Sequence, residues 1–235
     1  MTTTAAAPGD GTDSLPDIKN LRIGVLGGTG EQGRGLAKRL ALAGIAVTLG
    51  SRDAERAQQA AAALAPIAPV QPTGADNATC AQTSDIVIAA VPWDGHAELL
   101  SGLAGQLAGK ILVDCVNPLG FDKQGCYALP VAEGSAAQQA AAILPESRVV
   151  GAFHHVSAVL LLDDAVASVD TDVLVLGDDR EATDIVQALA ACIPGIRGIY
   201  GGRLRNCGQV EAFTANLISM NRRYKAHAGL RVTDV

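Results

Sequence analysis

Residues 23–33 read Ile-Gly-Val-Leu-Gly-Gly-Thr-Gly-Glu-Gln-Gly, an apolar stretch that runs straight into a glycine-rich turn. Few segments restrict the possible folds of a chain as tightly. Gly28, Gly30 and Gly33 fit the spacing G-x-G-x-x-G. In that motif one glycine makes a tight turn, one lets the backbone approach a pyrophosphate, and one lets a helix pack on a strand. Spacing alone is a weak signal, because glycines also serve ordinary turns. Here the context agrees: an apolar strand precedes, and a helix is predicted over 35–43 with Leu36, Leu40 and Ala43 on one face. Such a helix start offers free N–H groups and the positive end of its dipole to phosphates. A site for NAD would carry Asp or Glu at the end of the next strand, against the ribose 2′-hydroxyl. The predicted strand over 45–50 ends instead in Ser51-Arg52, with Arg56 one helical turn later facing the same place. A hydroxyl and guanidinium groups suit a 2′-phosphate, so the expected cofactor is NADP(H).

With 49% hydrophobic and 18% charged residues among 235, the chain can fill a sizeable core. Aromatics are only 3%, so packing must rely on close helix-on-sheet contact. A net charge of −6 argues against general nucleic-acid binding. The acidity is uneven. From residue 196 onward, Arg197, Arg203, Arg205, Arg222, Arg223, Lys225 and Arg231 face only Glu211 and Asp234. That segment reads either as a solvated or inter-subunit face or as an attractor for a second, anionic ligand. Cys80, Cys115, Cys126, Cys192 and Cys207 show no C-x-x-C spacing and are odd in number, so no disulfide framework or zinc site is expected. Cys115 reads as a small core residue. A reducing cytoplasm fits. Residues 1–18 read as a disordered tail with neither a basic start nor an apolar run, unlike a signal peptide. No run is apolar and long enough to span a membrane.

Strands alternate with helices through the first two-thirds, the pattern of a parallel sheet with helical crossovers. The expected fold is therefore α/β, a Rossmann-type doubly wound parallel sheet, followed by a small C-terminal α/β unit. The predicted division is a nucleotide-binding domain over 19–154 and a smaller domain over 155–235. Helices are expected over 54–64, 77–82, 96–103, 135–144, 157–163 and 181–192. Strands are expected near Val70 and over 85–91, 110–115, 148–153, 171–176 and 196–200. A long last helix should start near Asn206 and bury Val210, Phe213, Leu217 and Met220, spaced by three and four.

Cofactors of such sheets lie over the carboxyl ends of the strands. Beyond the glycine turn, two strand ends therefore matter: Val91-Pro92-Trp93 and Cys115-Val-Asn117-Pro118. Trp93, the single tryptophan, covers the sheet end or lines the nicotinamide channel. His154-His155 ends a further strand on the same side. Adjacent residues at a strand end point in opposite directions, so the two are a poor metal pair, and no ligand-spaced carboxylate or cysteine accompanies them. A Tyr-x-x-x-Lys pair is absent, since Tyr127, Tyr200 and Tyr224 have no Lys four residues on. No acid–base set assembles, so no catalytic residue is named. That fits a second ligand that is itself a redox cofactor, because hydride transfer between cofactors needs positioning more than proton chemistry.

Gly27-Gly-Thr-Gly-Glu-Gln-Gly33, Gly50-Ser-Arg52, Val91-Pro-Trp93, Ala152-Phe-His-His155 and Gly177-Asp-Asp179 together resemble the NADPH-dependent reductases of coenzyme F420, an 8-hydroxy-5-deazaflavin. The resemblance covers residues 21–231. It implies that Thr29, Gly30, Glu31 and Gln32 hold the pyrophosphate and that Ser51, Arg52 and Arg56 take the 2′-phosphate. It implies further that Trp93, Val156, Ala158 and Gly229 border the nicotinamide. The C-terminal unit would complete a deazaflavin pocket between His154–Ala158 and Asn206, with the phosphate and polyglutamate tail of the deazaflavin on the basic segment. Where the family carries Thr-Ile-Pro or Thr-Val-Pro after the histidine, this chain has His155-Val156-Ser157, a departure that would reshape the deazaflavin-facing wall. Family members pair as homodimers. Two other readings keep the same nucleotide site: an NADPH-dependent ferric or flavin reductase, and an NADP(H)-sensing module without turnover.

Overall fold

The computed structural model describes residues 15–235. The chain runs through β1 (Arg22–Leu26), α1 (Glu31–Leu42), β2 (Ala46–Ser51), α2 (Ala54–Leu64), β3 (Thr73–Asp76), α3 (Asn77–Thr83) and β4 (Ile86–Ala89). It continues through α4 (His96–Gly102), α5 (Ala104–Leu107), β5 (Ile111–Asp114), β6 (Leu119–Asp122), β7 (Gly125–Ala128), α6 (Ala136–Ile143) and β8 (Arg148–Gly151). The last elements are α7 (Ala158–Leu162), β9 (Thr171–Gly177), α8 (Arg180–Ala191), β10 (Ile196–Gly202) and α9 (Cys207–Tyr224).

Eight strands form one sheet in the order β10-β9-β8-β5-β4-β1-β2-β3. Neighbours run parallel except β8 and β9, where Val150 opposes Gly177 and Gly151 opposes Leu176. The stretch β3-β2-β1-β4-β5-β8 is the doubly wound order expected from the sequence. Its strand order reverses between β1 and β4, which opens a crevice above their carboxyl ends. Central strands are covered on both faces and so read as unbroken apolar runs. Ile86, Val87, Ile88 and Ala89 are all buried, as are Ile111, Leu112 and Val113.

The division expected at 154/155 falls inside this continuous sheet, since β9 and β10 extend it. Helix α1 also reaches across. The buried Arg39 guanidinium donates to the carbonyls of Leu160, Leu161, Asp163 and Val166, around the end of α7. At the other end, Leu230 donates to the Thr171 hydroxyl and Asp172 donates to the Leu230 carbonyl.

Several expectations need correction. The third strand lies at 73–76, and Val70 is exposed. What decides it is Gly74, because a Cβ there would sit 2.3 Å from the Ala57 backbone of α2. The β6–β7 hairpin was not expected. Its strands are short and half exposed, and its turn is set by Asp122 Oδ1 accepting from Gln124 N and Gly125 N. On α9, Val210 and Leu217 are buried, but Phe213 is half-buried and Met220 is exposed; Cys207, Glu211, Thr214 and Ala215 complete the inner face. The expected tail lies mostly outside the described residues. Its last residue, Ile18, is buried in the core, so the folded part begins earlier than its composition suggested.

Candidate functional site: a cleft above the central strands

The turn after β1 is built by four glycines rather than three. Gly27, outside the G-x-G-x-x-G frame, is the residue in the left-handed region, with φ of 73°. A Cβ on it would lie 2.3 Å from the Ala90 carbonyl oxygen, so only glycine fits. Gly33 packs α1 onto this turn, where a Cβ would come within 2.4 Å of the Gly27 oxygen. Gly28 lies against Leu49 of β2, and its N–H donates to Gly50 O at 2.9 Å. Gly30 is exposed, and a Cβ there would stand 3.3 Å from the Gly27 oxygen, a tight contact. Gly30 is also the N-cap of α1, and no side chain caps that helix. The first N–H groups of α1, around Glu31 and Gln32, are therefore left for a ligand, the usual basis of phosphate binding at a helix start.

Ser51 closes β2, and its hydroxyl accepts from Asp53 N at 3.2 Å. Asp53 in turn caps α2 by accepting from Glu55 N and Arg56 N. This local order puts Arg52 in the loop and Arg56 in the first helical turn. Both guanidiniums are exposed, and neither has a carboxylate partner among the described residues.

A cleft of about 520 Å³ opens here, lined by Gly27, Thr29, Gly30, Ser51, Arg52 and Arg56 on one side. Ala90, Val91, Pro92, Asp94, Gly95 and Leu99 line the other, with Asp53 and Asn77 between. Sequence reasoning missed Gly27, Asp53, Asn77, Ala90, Asp94, Gly95 and Leu99. Gly27 was legible as one glycine too many before the motif. Asn77 was not, since it comes from the start of α3, after β3 in the chain, and reaches back over Gly50 of β2. Its Oδ1 is buried with no partner among the described residues.

The remaining expected residues lie outside this lining. Trp93 is half-buried, with its ring packed on His96 at 5.5 Å and 32°. Asn117 ties the strand ends together, donating from Nδ2 to His154 O at 2.7 Å, and Thr214 of α9 donates to its Oδ1 at 3.3 Å. Gln32 Nε2 reaches Phe153 O at 3.5 Å. His154 and His155 are buried. Burial pushes His154 down to about 4, and neither of its ring nitrogens has a hydrogen-bond partner among the described residues. Glu211 of α9, 3.9 Å from His154 Nε2, is pushed up to about 7 by burial despite accepting from Ala136 N and Ala137 N. His155 donates from Nε2 to Asp172 O, and burial holds it below the ordinary histidine value. Val156 is buried, Ala158 and Asn206 are half-buried, and Gly229 is exposed while packing closely on Thr171.

The basic C-terminal segment is less available than its composition suggested. Arg197 and Arg231 both grip the buried Asp172, at 2.6 Å each, and Arg231 also pairs with Asp170. The Arg197 hydrogen bond leads in holding the Asp172 carboxyl well below the usual carboxylate range. Arg203 lies 3.5 Å from Asp178. Among the described residues no cluster of His, Cys, Asp and Glu could hold a metal ion, and no helix is long and apolar enough to cross a membrane.

A family model described as "NADP oxidoreductase coenzyme F420-dependent" matches residues 22–118, from β1 through the end of β5. The F420-dependent NADP reductase of Methanothermobacter marburgensis is 39% identical over 223 residues, covering 92% of this chain and 99% of the relative. That of Methanocaldococcus jannaschii is 37% identical over 224 residues, with 92% and 99% covered. A solved structure from Arthrobacter sp. FB24, described as a candidate F420-dependent NADP reductase, superposes with a TM-score of 0.74 at 28% identity, covering 91% of this chain and all of that one.

Proposed function

The chain belongs to the family of F420-dependent NADP reductases, and we propose accordingly that it moves hydride between NADP(H) and coenzyme F420 by direct transfer between the two. The observation that carries this reading is the cleft, in which a glycine turn and an uncapped helix start meet Ser51, Arg52 and Arg56. These residues fit NADP(H). The turn has no space for a Cβ at Gly27 or Gly33, and the two guanidiniums lack carboxylate partners among the described residues. Thr29, Gly30, Glu31 and Gln32 would hold the pyrophosphate through backbone N–H groups, while Ser51, Arg52 and Arg56 would take the 2′-phosphate. Ala90, Val91, Pro92 and Leu99 form an apolar wall facing them.

At the deazaflavin end, the bearing observation is the set of buried nitrogens just after β8 that have no hydrogen-bond partner among the described residues: His154 Nδ1 and Nε2, and His155 Nδ1. We place the deazaflavin against His154–Ala158, near Asn206 and Gly229, with Trp93 toward the nicotinamide. The nicotinamide and deazaflavin rings supply the hydride chemistry when bound. The chain's part is to hold both rings in register and keep water away, which accounts for the lack of an acid–base set.

A division at 154/155, drawn by function within the one continuous sheet, a homodimer and a cytoplasmic setting belong to the same proposal. Exposed Phe121, Tyr127, Met220 and Tyr224 on the β6–β7 hairpin and α9 support pairing of two copies. Five free thiols support a reducing compartment. The test is to mix the protein with NADPH and oxidised deazaflavin and follow loss of visible absorbance, with FMN and a ferric chelate as controls. Turnover confined to deazaflavin is expected. Turnover only with FMN or iron, or binding of NADPH without oxidation, would overturn the reading.

A further inference from the structure

Directly behind the cleft wall the chain buries a charged pair that hydride transfer does not use. His96 opens α4 and Asp114 closes β5, and both side chains are fully buried. His96 Nε2 lies 2.7 Å from Asp114 Oδ2, while Asp114 Oδ1 accepts from Val116 N at 2.9 Å. On its other side, His96 Nδ1 lies 3.1 Å from Gln139 Oε1 of α6. The orientation of that amide is set by its far end, where Gln139 Nε2 donates to the Glu133 carboxylate at 3.3 Å. Gln139 therefore presents its oxygen to the ring. Both partners of His96 are acceptors, so both ring nitrogens must donate, and a ring that donates twice is an imidazolium.

The surroundings agree. Asp114 faces the ring from β5, Gln139 from α6, and the carboxylate of Glu133 stands behind Gln139. The Glu211 carboxylate of α9 adds a further raising field, whereas His154, 3.9 Å from Glu211, is held neutral by burial. Burial pulls the His96 proton affinity down, but the Asp114 and Gln139 bonds outweigh it and leave the value raised.

His96 is also the hinge post of the cleft wall. Val91, Pro92, Asp94 and Gly95, just before it, line the cleft, and so does Leu99 after it. Its N–H closes the turn by donating to Trp93 O at 3.1 Å, and the Trp93 ring packs on its imidazole. We propose that His96 is a positioning residue for nucleotide binding: its imidazolium, tied to β5 on one side and α6 on the other, pins the Val91–Gly95 wall, and loss of its second proton at alkaline pH frees one tie and loosens NADP(H). This rests on the reading that the cleft takes NADP(H).

The test measures the dissociation constant of NADPH by nucleotide fluorescence from about pH 6 to about pH 10, a range that spans a raised histidine. Wild type should weaken roughly tenfold across an alkaline limb, the worth of one hydrogen bond to a charged group. Gln139→Ala removes an acceptor and should move that limb down by about one pH unit; Gln139→Glu should move it up. His96→Asn should bind weakly at neutral pH with no limb. A merely structural role for the pair would lower stability without shifting the limb. If the limb stays in place in both Gln139 variants, or wild type shows none, the proposal is wrong. The histidine ring nitrogens of wild type give an independent check by NMR, where a singly protonated His96 at neutral pH would overturn it even if His96→Asn does not fold. Arg52→Ala serves as the control for the underlying reading. If that change leaves NADPH binding intact, the cleft assignment fails rather than the role of His96.

Discussion

Replacing Arg52 by Ala isolates one charge on one face of the cleft. Arg52 is exposed and, among the described residues, has neither a carboxylate partner nor a side-chain hydrogen bond, so its removal should leave stability within about 0.5 kcal/mol. Its loss should be felt only by a ligand group that needs it. A guanidinium–phosphate hydrogen bond is worth roughly 1.5–3 kcal/mol, or about 10- to 150-fold in affinity. Arg56 and Ser51 remain to share the 2′-phosphate, which argues for the lower half of that range. The expected result is a KM for NADPH raised about 10- to 50-fold, a KM for NADH changed less than about twofold, and kcat within about threefold. The penalty should shrink in high salt, as exposed charge pairs do. Steady-state kinetics with both nucleotides in parallel decide it. An equal rise for NADPH and NADH would refute 2′-phosphate recognition by this residue.

Gly33→Ala puts a Cβ 2.4 Å from the Gly27 oxygen, so the turn must open. Overpacking of this kind costs about 1–3 kcal/mol, and both a lower Tm and weaker nucleotide binding should follow. Asp172→Ala removes the buried anion that holds Arg197 and Arg231, and urea unfolding should report a loss of roughly 3 kcal/mol with NADPH affinity nearly unchanged. Glu211 is pushed up to about 7 from an ordinary 4.5, so the fold favours its protonated form. The stability it lends is complete below the unfolded value and is lost as pH rises through about 7, a swing on the order of 3 kcal/mol at most. Glu211→Gln should flatten stability between about pH 5 and pH 8, and an unchanged slope in urea titrations would show that Glu211 is not its source.

Local signals carried the elements that local chemistry decides. Helix α2 falls on its predicted bounds because an Asp53 cap, an Ala/Gln run and Pro66 all act within a few residues. Strands β4 and β5 were legible because a central parallel strand must be apolar on both faces. The hairpin at 119–128 gave no such run, and Gly74 placed β3 through contact with α2 rather than through propensity. In the site, the glycine turn and Ser51-Arg52 were visible as a pattern. Asn77 and the His96–Asp114 pair were not, because each depends on which strands become neighbours in the sheet. The same holds for Arg197 and Arg231, which looked like free cations until Asp172 was brought between them across a long stretch of chain. The sequence puts His154 and His155 at a strand end on the cofactor side, and their burial, which lowers both, makes them poor proton donors.

The central claim is that hydride passes directly from one cofactor to the other. NADPH carrying deuterium on the transferable C4 position, mixed with the protein and oxidised deazaflavin in ordinary water, tests it most directly. Direct transfer predicts that the deuterium appears on carbon in the reduced deazaflavin, with no loss to solvent, in wild type and at a reduced rate in Arg52→Ala. Deuterium released to water, or reduced deazaflavin carrying only solvent hydrogen, would contradict the account.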